Sequence, residues 1–286
     1  MLPFWLSIGV LSLVQAAVVA LAGKITIPWL ERRRSRLWAA IPPLSVIAFV
    51  FVARAAERAS AQSLTYLALL AVPLLAALAL GWWGRGARPV LALSVPVLFA
   101  LAWADRAGLA GPAAATALSA LSCVALGVLL AAVTPPRWLA AGIVLMACAD
   151  AVLVVSELLQ HPNEALNAAH PAAGLPKLQA EAFGSAAMGY GDLFVAGLLG
   201  GLLARGWPSA RMRQTHVAAL VALLALAFDL LFFFVAELPA TVPVAVGLLI
   251  AIGLARKRER KPAGSDTAGG LAREATERVT APGVSV

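Results

Sequence analysis

Four carboxylates stand where water is not expected. Of fourteen acidic residues, Asp150, Glu157, Asp192 and Asp229 lie well inside apolar runs. A charge at a bilayer centre costs at least about 2.5–3.5 kcal/mol, so acids kept there usually serve proton, ion or catalytic chemistry. A pair of them has a particular use. Two carboxyls held a few ångströms apart cannot both ionise cheaply, so they share one proton. One then works as a general base and the other as a general acid, and the pair titrates as a unit. The histidines, His161, His170 and His216, fall in loops or at a run's end, and Cys123 and Cys148 fall inside runs. Neither set has the spacing of a metal site, and no metal or cofactor is expected.

The elements that must hold these acids are membrane helices. The chain of 286 residues is 62% hydrophobic and 13% charged, with mean hydropathy +0.89. A soluble domain of that size has too little interior to hide so much apolar surface. Backbone groups inside lipid must bond within their own segment, so continuous apolar runs of about 20 residues read as helices. The runs predict nine of them: 3–23, 37–53, 63–83, 89–105, 112–133, 138–160, 185–204, 215–236 and 239–255. The expected fold class is all-α, a polytopic membrane protein.

Basic residues orient it. With the N-terminus outside, the inward breaks and the stretch just after the last run carry sixteen lysines and arginines, including Lys24, Arg32–Arg34, Arg85, Arg137, Arg213 and Arg256–Arg258, and the outward breaks carry four, Arg54, Arg58, Arg106 and Lys177. That bias is the positive-inside signature, and it puts the C-terminus in the cytoplasm. The net charge of +8 is therefore an anchor, with no nucleic-acid partner implied. The apolar run at 3–23 lacks the basic n-region of a cleaved signal peptide. The sequence groups spans one to five (1–134) as a scaffold and spans six to nine (135–255) as the part that bears the chemistry. Residues 256–286 form a disordered cytoplasmic tail. An alanine- and arginine-rich composition suits a bacterial inner membrane.

Depth selects the acids that can meet. Asp150 lies thirteen residues beyond Arg137, and Asp192 thirteen before Arg205. At 1.5 Å per residue both sit about 20 Å from the basic boundary on antiparallel neighbours. Asp229, at about 24 Å, is placed to approach them as an auxiliary acid.

Around the second aspartate the chain reads Gly189-Tyr190-Gly191-Asp192, and span nine opens with Pro239-Ala240-Thr241. In these motifs, and in span number, it resembles the GxGD intramembrane aspartyl proteases, the presenilin and signal peptide peptidase family. The resemblance implies nine spans, catalytic Asp150 in the sixth and catalytic Asp192 in the seventh. It also implies a substrate-binding surface at Gly189, Tyr190, Gly191, Pro239, Ala240 and Thr241, and membrane-spanning peptides as substrates. Ala149 stands where the family usually has Tyr, Tyr190 where it has Leu, and Thr241 where its third motif has Leu. Prepilin-type peptidases also use a GxGD aspartate but usually follow it with a basic residue, and here Leu193-Phe194-Val195 follow. From the residues alone a proton- or cation-coupled transporter, relaying through the buried acids, remains open. Gly197 and Gly201, spaced by four, read as close helix packing. The long outer segment 161–184, with a short helix expected at 163–169, reads as a cover between spans six and seven.

Overall fold

A computed structural model of the chain describes residues 3–45, 48, 57–105, 108–156, 174–178, 180–210, 212–235 and 237–260. The helices are α1 (Phe4–Leu21), α2 (Pro28–Arg32), α3 (Glu57–Leu78, continued by a π-helical turn at Ala79–Trp83), α4 (Ser94–Ala104), α5 (Ala110–Val133) and α6 (Pro136–Val155). A hairpin follows, β1 (Ala180–Phe183) and β2 (Ala186–Gly189), then α7 (Tyr190–Ala204), α8 (Gln214–Asp229, ending in a 3-10 turn at Leu230–Phe233) and α9 (Thr241–Arg260).

Among the described residues, five stretches are long and apolar enough to cross a bilayer: Phe4–Leu21, Gln62–Trp83, Ala110–Val133, Pro136–Val155 and Gln214–Phe233. Pro89–Ala104 and Tyr190–Ala204 are shorter apolar helices. Their outer faces carry Leu13, Leu70, Val97, Leu145 and Leu223, each at least half exposed. So large an apolar surface suits hydrocarbon far better than water. The expected span 37–53 is only partly described: a 3-10 turn at Arg36–Ala40 leads into helix at 41–45. Glu157, His161, His170 and the short helix expected at 163–169 lie outside the described residues.

The core forms around α5, 78% of whose apolar window is buried, against 22% for Gln214–Phe233. Small residues let α7 lie directly on it. A Cβ added to Gly197 would run into the Cys123 carbonyl, one added to Gly127 into Gly197, and one added to Gly201 would come within 2.7 Å of the Gly127 oxygen. This is backbone-to-backbone packing, as the Gly197–Gly201 spacing predicted. An adjoining face of α7 meets α1, where a Cβ on Gly200 would lie 2.7 Å from the Val19 oxygen. Helix α7 is thus clamped between α5 and α1, while α6, α8 and α9 close the other side.

Two boundaries differ from expectation. Span seven was expected from residue 185, but the helix begins at Tyr190 and the preceding ten residues form the hairpin. Gly184, at φ 63°, makes the turn between the paired Phe183 and Ala186. The backbone there has a sheet partner available, and that pairing overrides the helix preference of Ala186 and Ala187. The Ser185 N–H donates to Ser7 Oγ at 3.2 Å, fastening the hairpin to α1. Span nine begins at Thr241 and runs to Arg260, so the first five residues assigned to the tail are helical.

Candidate functional site

The first aspartate meets the start of the last helix. Proline at its first position sets α6 going, and Asp150 comes nearly four turns later, half-buried. Thr241 Oγ1 donates to Asp150 Oδ2 at 2.6 Å, and the Thr241 backbone N–H also bonds this carboxyl. Thr241 is the first residue of α9 and is fully buried. The initial N–H groups of a helix have no partner of their own and mark its positive end, so a carboxylate there is favourably placed. Pro239 keeps the chain non-helical just before it.

The second aspartate closes the start of α7. Asp192 is the third residue of that helix, and its Oδ2 accepts from the Gly189 N–H at 3.1 Å. Gly189 is also the last residue of β2, so the hairpin and the carboxyl are joined through one peptide unit. A Cβ on Gly189 would lie 3.2 Å from Asp192 Oδ2, too tight without displacing it. Gly191 is looser: its added Cβ would rest 3.5 Å from Met146 Cε, an ordinary contact. Met146 is one helical turn before Asp150 on the same face of α6. The glycine motif therefore lies against the helix that carries Asp150.

One residue ties the second aspartate to the third motif. Gln15, on α1 and fully buried, donates from Nε2 to the Ala240 carbonyl at 2.8 Å and to the Asp192 carbonyl at 3.3 Å. Ala240 precedes the Thr241 that holds Asp150. The chain thus links Asp150, Thr241, Ala240, Gln15 and Asp192 in order. The sequence grouped α1 with the scaffold; the structure puts it at this junction. The signal for it in the sequence is a lone amide in the apolar run Leu13 to Leu21, uncharged and so far less conspicuous than the acids.

The remaining expected residues divide. Ala240 and Thr241 join the junction as described. Tyr190 turns to α5, its hydroxyl 2.7 Å from Ser122 Oγ, and its carbonyl accepts from Cys123 Sγ. Asp229 ends α8, and its Oδ2 accepts from Ser12 Oγ at 2.7 Å. Ser12 is three residues from Gln15, so Asp229 borders the junction through α1. Glu157 lies outside the described residues. Helix α1 thus presents Ser7, Ser12 and Gln15, all buried, to the hairpin, to Asp229 and to the Asp192–Ala240 contact respectively. Among the described residues no group of three or more potential metal ligands occurs.

Comparison with family models, curated proteins and solved structures finds no match to this chain.

Proposed function

We propose that this protein is an intramembrane aspartyl protease that hydrolyses peptide bonds of membrane-spanning substrates, with Asp150 and Asp192 as its catalytic pair. In this reading nine spans carry the chain, with the N-terminus outside and the C-terminus in the cytoplasm. One observation carries the proposal: the segments that bear the two acids meet at the same short stretch, Ala240–Thr241, Asp150 through its carboxyl on the Thr241 hydroxyl and Asp192 through its main-chain carbonyl, which shares the Gln15 amide with the Ala240 carbonyl. A purely structural aspartate needs one partner helix; this arrangement spends three helices and an amide on bringing two carboxyl-bearing segments to one place.

The chemistry follows from a shared proton. One carboxylate takes a proton from water as the oxygen attacks the scissile carbonyl, while the other acid donates to the carbonyl oxygen. Collapse of the tetrahedral species returns the proton to the leaving nitrogen and restores the pair. The substrate must be extended to be cut, and β2 offers it a template beside Asp192. The Gly184 turn makes Phe183 and Ala186 a hydrogen-bonded pair, so alternation turns the N–H and C=O of Ala187 and the C=O of Gly189 away from β1, while the Gly189 N–H is taken by Asp192. An extended peptide laid on that edge gains main-chain bonds that replace those of its lost helix.

The test uses the full chain in liposomes with a panel of single-span fluorogenic peptides. Asp150→Asn and Asp192→Asn should each abolish cleavage while leaving insertion and thermal midpoint near the parent's. Cleavage that survives in either variant refutes the assignment. Transport is the reading to beat, since Asp229 and Ser12 extend the polar groups along α1 towards the end of α8. Proton or cation flux in the same liposomes, lost in the asparagine variants and without any peptide cut, would replace the protease by a transporter.

A further inference from the structure

The opposite end of the helix bundle has a chemistry that the acids do not use. Helix α1 ends where Arg85 begins its loop: the Arg85 N–H donates to the Leu21 carbonyl at 2.7 Å and the Gly23 N–H to the Trp83 carbonyl at 3.1 Å. Beside this tie opens a cavity of about 730 Å³, lined by Arg85, Leu203, Met212, Arg213 and Thr215 among others. A second cavity of about 240 Å³ shares Met212 and Arg213 and runs on past His216 to Val217, Leu220 and Leu254. The first is polar and basic, the second largely apolar, and they meet at Arg213.

We propose that these joined cavities bind one anionic phospholipid, its phosphate between Arg85 and Arg213 and one acyl chain in the groove between α8 and α9. Three observations support an anion at the head. Both guanidinium-bearing residues line the cavity, no carboxylate does, and neither arginine side chain bonds another group among the described residues. Helix α8, sixteen residues long, starts at this wall: Gln214 and Thr215 line the cavity, and the N-cap Arg213 offers no side-chain acceptor to the first N–H groups. A phosphate would supply the missing acceptor and meet the positive end of the helix. The third is the collection of basic residues at this end, where Lys24 and Arg205 follow the ends of α1 and α7 and Arg256–Lys257 lie in the last turns of α9.

The apolar arm selects a lipid over a free phosphate. Val217 and Ala251 are buried in its floor, whereas Leu220 and Leu254 form its partly open walls. Leu220 and Leu254 continue the direction of the bundle away from the basic end, the course an acyl chain takes from its headgroup. Leucine walls have nothing to offer an inorganic ion. Basic pockets between helices at a membrane surface are the usual receptors for acidic headgroups. The site stands apart from the aspartates: Leu254 is thirteen residues along α9 from Thr241, about 20 Å.

Native mass spectrometry and thermal melts of the full chain in detergent test it, with phosphatidylglycerol, phosphatidylcholine or inorganic phosphate added. Phosphatidylglycerol should bind one to one and raise the melting midpoint, and phosphatidylcholine and phosphate should do neither. Each basic side chain near a headgroup contributes about 1 kcal/mol, so Arg85→Gln with Arg213→Gln should weaken phosphatidylglycerol at least about tenfold. Leu220→Asn should weaken it too, while the lipid-free melting point verifies that each variant folds. Equal binding of phosphatidylcholine, undiminished binding by the double variant, or equal protection by phosphate alone overturns the proposal.

Discussion

Replacing Gln15 with leucine separates stability from positioning. The change shortens the side chain by one atom and removes two interhelical hydrogen bonds, at 2.8 Å to Ala240 and 3.3 Å to Asp192. Such bonds inside a membrane average about 0.6 kcal/mol each, so the loss is about 1 kcal/mol. The amide oxygen of Gln15 is buried and bonds no other protein group among the described residues. An unsatisfied buried acceptor costs about 1–3 kcal/mol, and leucine removes that cost. The two effects oppose each other, and the net change in stability should stay within about 2 kcal/mol of zero. Alignment has no such compensation. Without a shared donor, the Asp192 and Ala240 carbonyls are free to drift, and a misplacement near 1 Å can cost about a hundredfold in rate. The assay pairs a thermal melt with cleavage of a single-span peptide at saturating concentration. A melting point shifted by a few degrees with turnover down at least about tenfold bears out the reasoning. Parental turnover, or a loss explained by the unfolded fraction alone, refutes it.

Three further outcomes are expected. Thr241→Val removes the hydroxyl that bonds Asp150 while keeping shape, and should lower turnover about tenfold, with Thr241→Ser restoring most of it; equal rates for valine and serine would sink this. Gly197→Val must displace the Cys123 carbonyl at the α5–α7 contact, so folding yield in membranes should fall sharply and the melting point drop by the equivalent of about 1–3 kcal/mol; a parental melt would contradict the packing. Gly189→Ala presses on Asp192 Oδ2 whereas Gly191→Ala meets only the end of Met146, so cleavage should suffer more at 189 than at 191, and the reverse order would refute the geometry.

The helices were legible because hydrophobic burial and hydrogen-bond closure are local demands, written in any run of about 20 apolar residues. Asp150, Asp192, Gly197 and Gly201 stood out for the same reason, as exceptions within such runs. Other features depended on partners distant in sequence. The hairpin at 180–189 consists mainly of small residues and declares no strand periodicity; its pairing comes from the Gly184 turn and from Ser7 on α1. Gln15 is an uncharged amide, and only its partners make it conspicuous. Depth counting put the two aspartates at one level, but it carried no information on rotation about each helix axis. The contacts through Thr241 and Gln15 supply that missing angle.

The polar stripe on α1 has a consequence for biosynthesis. Ser12, Gln15 and Ser7 leave the ribosome before their partners, since Asp229, Ala240 and Ser185 follow by 217, 225 and 178 positions. Until those segments are made, α1 must wait in lipid with the Ser12 hydroxyl and the Gln15 amide lacking these partners. The partners arrive with the hairpin, α7, α8 and the start of α9, so the junction cannot be assembled by the C-terminal half alone. Supplying that half without its leading helix should yield a bundle in which Asp192 and Ala240 have lost their common tether, and co-expressing the helix as a separate piece should bring it back.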